Sequence, residues 1–291
     1  MTSDMALMIN NKVHIDYRKN ILIDQENPVL AFKANRDRYV QTKNQMNYAG
    51  LPQLGSINSE DAITWNIFRS LSISNNFNPL EKLFNRKLDN PKILLWTLSF
   101  DQISHDLQYT VGSIIRQIDG RHQGQMTEPD VIIESDDSLY IIECKLGEYG
   151  KYPDHLWGVL KNSDGPKARK NDYFIDNIFI NDIGYDSNMY QLYRMVFYAN
   201  KIGQTLMKKP VFVSLVNKSW WQVKRKGTLS PDQIWNDFIK SVNEHSVELI
   251  NVFWQDLQIK ADKTLGSYIQ NHKCLTNKLH SPLPGNIQTP N

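Results

Sequence analysis

The sequence predicts an α/β fold built around one acidic β-hairpin, and three observations carry that prediction. Residues 128–145 read EPDVIIESDDSLYIIECK, with apolar runs at Val131–Ile133 and Leu139–Ile142 on either side of a polar Ser135–Ser138. Short β-branched runs broken by Asp and Ser are the pattern of a hairpin. Both faces of the second arm are apolar, Tyr140 and Ile142 as well as Leu139 and Ile141. A strand apolar on both faces is covered on both, which puts this hairpin at the centre of a sheet. Helix-period segments also alternate with further strand-like runs along the chain, as they do where helices are layered on a sheet.

Residues 1–55 are polar and weakly patterned, and are expected to form an N-terminal arm with one short helix over Phe32–Tyr39. Their scattered cations (Arg18, Lys19, Lys33, Arg36, Arg38, Lys43) read as a solvated face, with contact to a nucleic-acid backbone as the alternative. A core domain is expected over 56–275. Asn58-Ser59 caps a helix to about Leu71, whose stripe is Ile63, Ile67, Phe68 and Leu71. Leu80–Leu88 follows as a helix and Lys92–Phe100 as a strand, while His105–Thr110 is ambiguous. Ser113–Ile118 reads as a strand ending at the Asp119-Gly120 turn signal. After the hairpin comes a long polar insertion, 147–187, and loops of that length are functional or disordered. A helix over Asn188–Ile202 offers Leu192, Met195, Val196 and Ala199 to the core and sets Gln191, Arg194 and Tyr198 on one side. Pro210–Val216 and Leu249–Trp254 read as strands, Pro231–Asn243 and Lys263–His272 as helices, and 276–291 as a disordered tail.

The bulk numbers narrow the function class only coarsely. With 41% hydrophobic and 22% charged residues over 291 positions, the chain has material for a globular core. A net charge of +2 selects no partner, so any nucleic-acid contact has to come from local basic patches. Cys144 and Cys274 form neither a disulfide framework nor a metal-ligand spacing, and no run approaches the ~18 apolar residues of a membrane helix. The expectation is a soluble protein of the reducing cytoplasm.

The chemistry concentrates in the hairpin. Pairing centred between Asp136 and Asp137 sets Ile132 opposite Ile141 and Asp130 opposite Glu143. Opposed side chains stand about 4.5–5.5 Å apart at Cβ, where like charges are destabilising. Such a pair calls for a cation, and Lys145, a divalent metal, or both can supply it. Asp130 and Glu143 suffice as a protein share for Mg²⁺, which takes one or two carboxylates plus water and phosphate oxygens. Lys145 faces the same side and is suited to orienting a water and stabilising developing charge. The competing reading is a structural salt bridge from Lys145 to Glu143 or Glu128. Glu60 opens its helix on the core-facing side, where a dipole cap and a site acid are both open. Cys144 points the other way, into the core. Two basic runs are candidates for gripping phosphate: Lys161, Lys167, Arg169 and Lys170 in the insertion, and Lys224, Arg225 and Lys226 beside the indoles of Trp220 and Trp221. A mobile loop and a lysine-protected edge are the respective alternatives.

Pro129-Asp130 followed by Glu143-Cys144-Lys145 across a hairpin resembles the PD-(D/E)xK nuclease superfamily, to which the type II restriction endonucleases belong. The resemblance spans about Ser59–Val216. It implies a restriction-endonuclease-like core, a central mixed sheet flanked by helices, with the N-terminal arm and C-terminal segments as additions. It further implies Mg²⁺-dependent hydrolysis of DNA phosphodiesters by a restriction-type or related defence or repair endonuclease; Mn²⁺ is the alternative metal, and a homodimer is compatible with it. Glu60, Asp130 and Glu143 would be the metal ligands, Lys145 the water-activating or charge-stabilising residue, and Gln191, on the following helix, a catalytic side chain that positions water or phosphate. The frequent Gln-x-x-x-Tyr pattern is not met, since Met195 stands at the tyrosine position. A nucleic-acid-binding protein on the same fold without turnover is the alternative.

Overall fold

The computed structural model describes residues 7–9, 12–14, 16–37, 51–56, 59–119, 128–146, 178–179, 189–221, 223, 229–257 and 265. A short hairpin of β1 (Leu7–Ile9) and β2 (Lys12–His14) precedes helices α1 (Tyr17–Asn20) and α2 (Pro28–Arg36). Then come α3 (Glu60–Ser74), α4 (Asn78–Phe84), strand β3 (Lys92–Leu95) and α5 (His105–Asp119). The hairpin strands are β4 (Val131–Glu134) and β5 (Ser138–Lys145). Helix α6 (Tyr190–Leu206), β6 (Lys209–Val216), α7 (Pro231–Ile239) and β7 (Glu248–Phe253) complete the order.

The five strands β3-β4-β5-β6-β7 form one mixed sheet in that spatial order. The first two pairings are antiparallel and the last two parallel. β5 is therefore central. Its register against β4 sets Ile132 opposite Ile141, as the turn at Asp136-Asp137 requires. Alternation sends Val131, Ile133, Tyr140, Ile142 and Cys144 to one face, where α2, α3 and α4 supply Leu30, Ile63, Phe68 and Leu80. Ile132, Leu139 and Ile141 go to the other face, under α5, α6 and α7. The result is three layers, helices on both sides of the sheet. Among the described residues no helix is long and apolar enough to cross a membrane.

Local chemistry explains the element ends. Ser59 Oγ accepts the Ala62 N–H at the start of α3, and Asn75 closes the helix in the left-handed region at φ 48°. Ser230 and Gln233 make a reciprocal capping box on α7.

Three expectations are corrected. Ser113–Ile118 is not a strand. It is the second half of α5, because Leu107, Val111 and Ile115 recur every four residues and bury one helical stripe. The strand expected over Lys92–Phe100 stops at Leu95, where Trp96 and Thr97 turn the chain with φ of 53° and 63°. The cations of the N-terminal segment are not all a solvated face: Lys33 is buried and Arg36 half-buried in ion pairs, while Ile21, Leu30, Ala34 and Leu54 join the core around α3. The helix expected over Lys263–His272 lies outside the described residues except for Leu265, which is helical and buried. So do the tail from 276 and the 147–187 insertion, apart from Ile178 and Phe179.

Candidate active site

The site forms where β4 begins and β5 ends. β5 is buried along nearly its whole length, so Glu143 and Lys145 are carried into a largely enclosed corner beside the first turn of α3. Lys145 Nζ lies 2.7 Å from Glu143 Oε1 and 3.3 Å from Glu60 Oε1. The other Glu60 oxygen accepts the Leu146 N–H at 2.7 Å. Glu60 thus bonds the end of β5 as well as sitting in a helix first turn, where the dipole favours an acid. Asp130 Oδ2 accepts the Cys144 N–H at 2.7 Å, locking the aspartate onto the backbone of the opposite strand. Glu60, Asp130, Glu143 and Lys145, far apart in sequence, are brought into one cluster.

Burial governs the electrostatics of this cluster. It pushes the Glu143 carboxyl up to about 8, against the nearby Lys145 ammonium and with reinforcement from Asp130. It pushes Glu60 up to about 7 in the same way, and raises Asp130 as well. Burial works against the Lys145 charge too, but Glu143, Glu60 and Asp130 outweigh it and hold the ammonium well above its ordinary range. Lys145 is a fixed cation at neutral pH. Cys144 is fully buried, its thiol raised by burial, and lies in the core as expected.

Among the described residues no three His, Cys, Asp or Glu side chains are grouped closely enough to hold a metal ion. The chemistry of the donor pair nevertheless fits a hard cation. Asp130 commits Oδ2 to the Cys144 N–H and Glu143 commits Oε1 to Lys145, and the second oxygen of each is the one a cation would take. A buried Glu143 and a half-buried Asp130 that repel each other make the one or two carboxylates that Mg²⁺ takes from a protein. Both Glu60 oxygens are engaged, by Lys145 and by Leu146.

Gln191 lies in the first turn of α6, half-buried, and its Oε1 is shielded without a partner among the described residues. Arg194, from the same side of α6, donates from Nε to Tyr198 Oη at 2.7 Å. Trp221 packs edge-on to Phe253 at 5.5 Å, so one of the two indoles proposed for stacking on bases is used in packing. Lys161, Lys167, Arg169, Lys170, Lys224, Arg225 and Lys226 lie outside the described residues.

Two groups of residues escape the sequence reading. Glu143 pairs with Ser214 of β6, and Ser214 with Asn251 of β7. Residues paired across strands share a face, so a polar row crosses a face that is otherwise apolar at Ile141, Phe212 and Leu249. Ser214 Oγ and Asn251 Oδ1 are buried without partners among the described residues. A serine interrupting the apolar run of β6 was the available signal. The second group is ionic. Arg36 grips Glu128 through Nη1 and Nη2, both at 2.7 Å, and Lys33 Nζ reaches Asp37 at 2.8 Å and Asp61 at 3.4 Å. Glu128, open as a partner for Lys145, is taken by Arg36 instead.

Comparison of this chain with protein-family models, with curated proteins and with solved structures finds no match.

Proposed function

We propose that the protein is a Mg²⁺-dependent endodeoxyribonuclease of the restriction type or a related defence or repair nuclease, on a restriction-endonuclease-like core. The observation that carries this reading is the convergence of Asp130, Glu143 and Lys145, with Glu60, at the end of the central hairpin.

Asp130 and Glu143 are the residues that would hold the metal. When bound, Mg²⁺ lowers the pKa of a water and neutralises charge on a phosphate oxygen. The rest of the work belongs to the chain. Lys145 is a permanent cation and therefore no general base; it donates N–H groups to the attacking water or to a phosphate oxygen and offsets the charge that develops there. Glu60 holds Lys145 from the helix side and anchors Leu146, so the ammonium is aimed before substrate arrives. Gln191, whose Oε1 has no partner among the described residues, is the candidate for positioning a water or phosphate from α6. Backbone grip on DNA falls to the basic runs at 161–170 and 224–226. A free, buried Cys144 suits a reducing, cytoplasmic setting.

A second reading, nucleic-acid binding without turnover, is favoured by two observations: Lys145 stands between Glu60 and Glu143, and no trio of ligands is gathered among the described residues. Incubation with plasmid DNA and Mg²⁺ decides between them. The nuclease reading expects nicked or linear product that EDTA abolishes. Plasmid that is retarded in a gel but remains intact with both Mg²⁺ and Mn²⁺ would establish the second reading instead.

A further inference from the structure

The segment that delivers Asp130 is held by contacts from Arg36, Trp96 and Thr97. Arg36 forms a two-pronged ion pair with Glu128, two residues before Asp130, and its Nε also meets Asp37 at 2.8 Å. Paired guanidinium–carboxylate forks are directional as well as strong. The Trp96 N–H also donates to the Asp130 carbonyl at 3.0 Å, and Thr97 Oγ1 reaches the Glu128 oxygen that Arg36 Nη1 binds, at 3.5 Å. Trp96 and Thr97 occupy a two-residue turn with positive φ, a conformation that bulky residues adopt only where the surroundings impose it. Those surroundings are visible. The Trp96 ring stacks on Trp65 of α3 at 6.0 Å, and Lys33 Nζ sits 4.4 Å from its centroid on α2. Lys33 also holds Asp61, the neighbour of Glu60.

We propose that α2 is a positioning element of the active site: Lys33 and Arg36, one helical turn apart, fix the two segments that carry Glu60 and Asp130. This rests on the nuclease reading above. Neither cation touches the reacting groups. Arg36 sets Asp130 through Glu128, and Lys33 sets Glu60 through Asp61 and the Trp96 turn through its ring. Glu60 belongs to the α3 segment and Asp130 to the start of β4, so a chain with α2 displaced would keep every site residue and lose their mutual geometry. Partners one shell out from a metal ligand govern affinity and rate for this reason.

The test compares Arg36→Ala, Arg36→Lys and Glu128→Gln with the wild-type chain in plasmid cleavage across a Mg²⁺ titration, with thermal melts on the same samples. Arg36→Ala and Glu128→Gln are each expected to slow cleavage roughly 10–100-fold and to move half-saturation to higher Mg²⁺. Arg36→Lys is expected to recover part of the rate, since it restores the charge but not the fork. Glu128→Gln is isosteric and leaves α2 intact, so it alone decides should Arg36→Ala fail to fold. Folded variants that cleave with the wild-type rate and Mg²⁺ dependence would overturn the proposal and leave the nuclease reading standing. A wild-type chain that cleaves nothing overturns both.

Discussion

Glu143 and Ser214 face each other across the pairing of β5 with β6, one a buried carboxylate bound to Lys145, the other a fully buried hydroxyl without a partner among the described residues. Burying an unpaired hydroxyl costs about 1–3 kcal/mol. A fold that merely needed to fill this place would use an apolar side chain. Ser214→Ala should therefore leave the melting temperature unchanged or raise it, while lowering cleavage by removing a group one strand from the pair proposed to hold the metal. A variant as active as the wild type returns Ser214 to packing alone.

The role of Lys145 is tested by charge. Lys145→Met and Asp130→Asn should each abolish metal-dependent cleavage, with circular dichroism showing an intact fold. Lys145→Met leaves Glu143 and Glu60 facing each other without their common cation, so both carboxyls should hold their protons more tightly. The loss of stability in that variant is expected to be greater at about pH 8.5 than at about pH 6. Cleavage surviving either substitution removes the mechanism.

The metal-free protein should itself be pH-sensitive. Glu60 and Glu143 are raised in the fold, to about 7 and about 8, so the folded state prefers them protonated. The stability they contribute is complete below an ordinary carboxyl pKa of about 4.3 and is lost as pH rises through those two values. Lys145, held well above its ordinary range, keeps its charge throughout and does not reverse the trend. Melting temperature in EDTA should fall from about pH 5 to pH 9, Glu143→Gln should flatten the upper part, and Mg²⁺ should restore stability at the alkaline end. A flat profile in EDTA would contradict the burial assigned to these carboxyls.

Away from the site, the turn between α6 and β6 offers a control. Met207 is exposed and left-handed at φ 54°, where any side chain is strained, so Met207→Gly should raise stability by about 0.5–1 kcal/mol without affecting cleavage. Four residues earlier the opposite holds. A Cβ on Gly203 would stand 2.9 Å from Pro210 Cβ and 3.0 Å from the Lys208 carbonyl oxygen, so Gly203→Ala should cost about 1–3 kcal/mol. Urea titrations of the two variants check both signs.

The sequence by itself determined the central hairpin, its register and three of the clustered residues. Two apolar runs joined by a short Asp-Asp turn leave little freedom of register, and the alternation of side chains along each strand then puts Asp130, Glu143 and Lys145 on one side. It also determined the α6 stripe, since Leu192, Met195, Val196 and Ala199 are all fully buried. Shorter signals misled: Ser113–Ile118 is β-branched enough to pass for a strand until Leu107 and Val111 extend its stripe into a helix. What only the tertiary structure decided is how α2 and the Trp96 turn hold the site. Arg36 and Glu128 are 92 positions apart. Periodicity is local and carries no record of such a pair, which exists only because Leu30 and Ala34 bury α2 against the core and bring its two cations to the acidic end of the sheet.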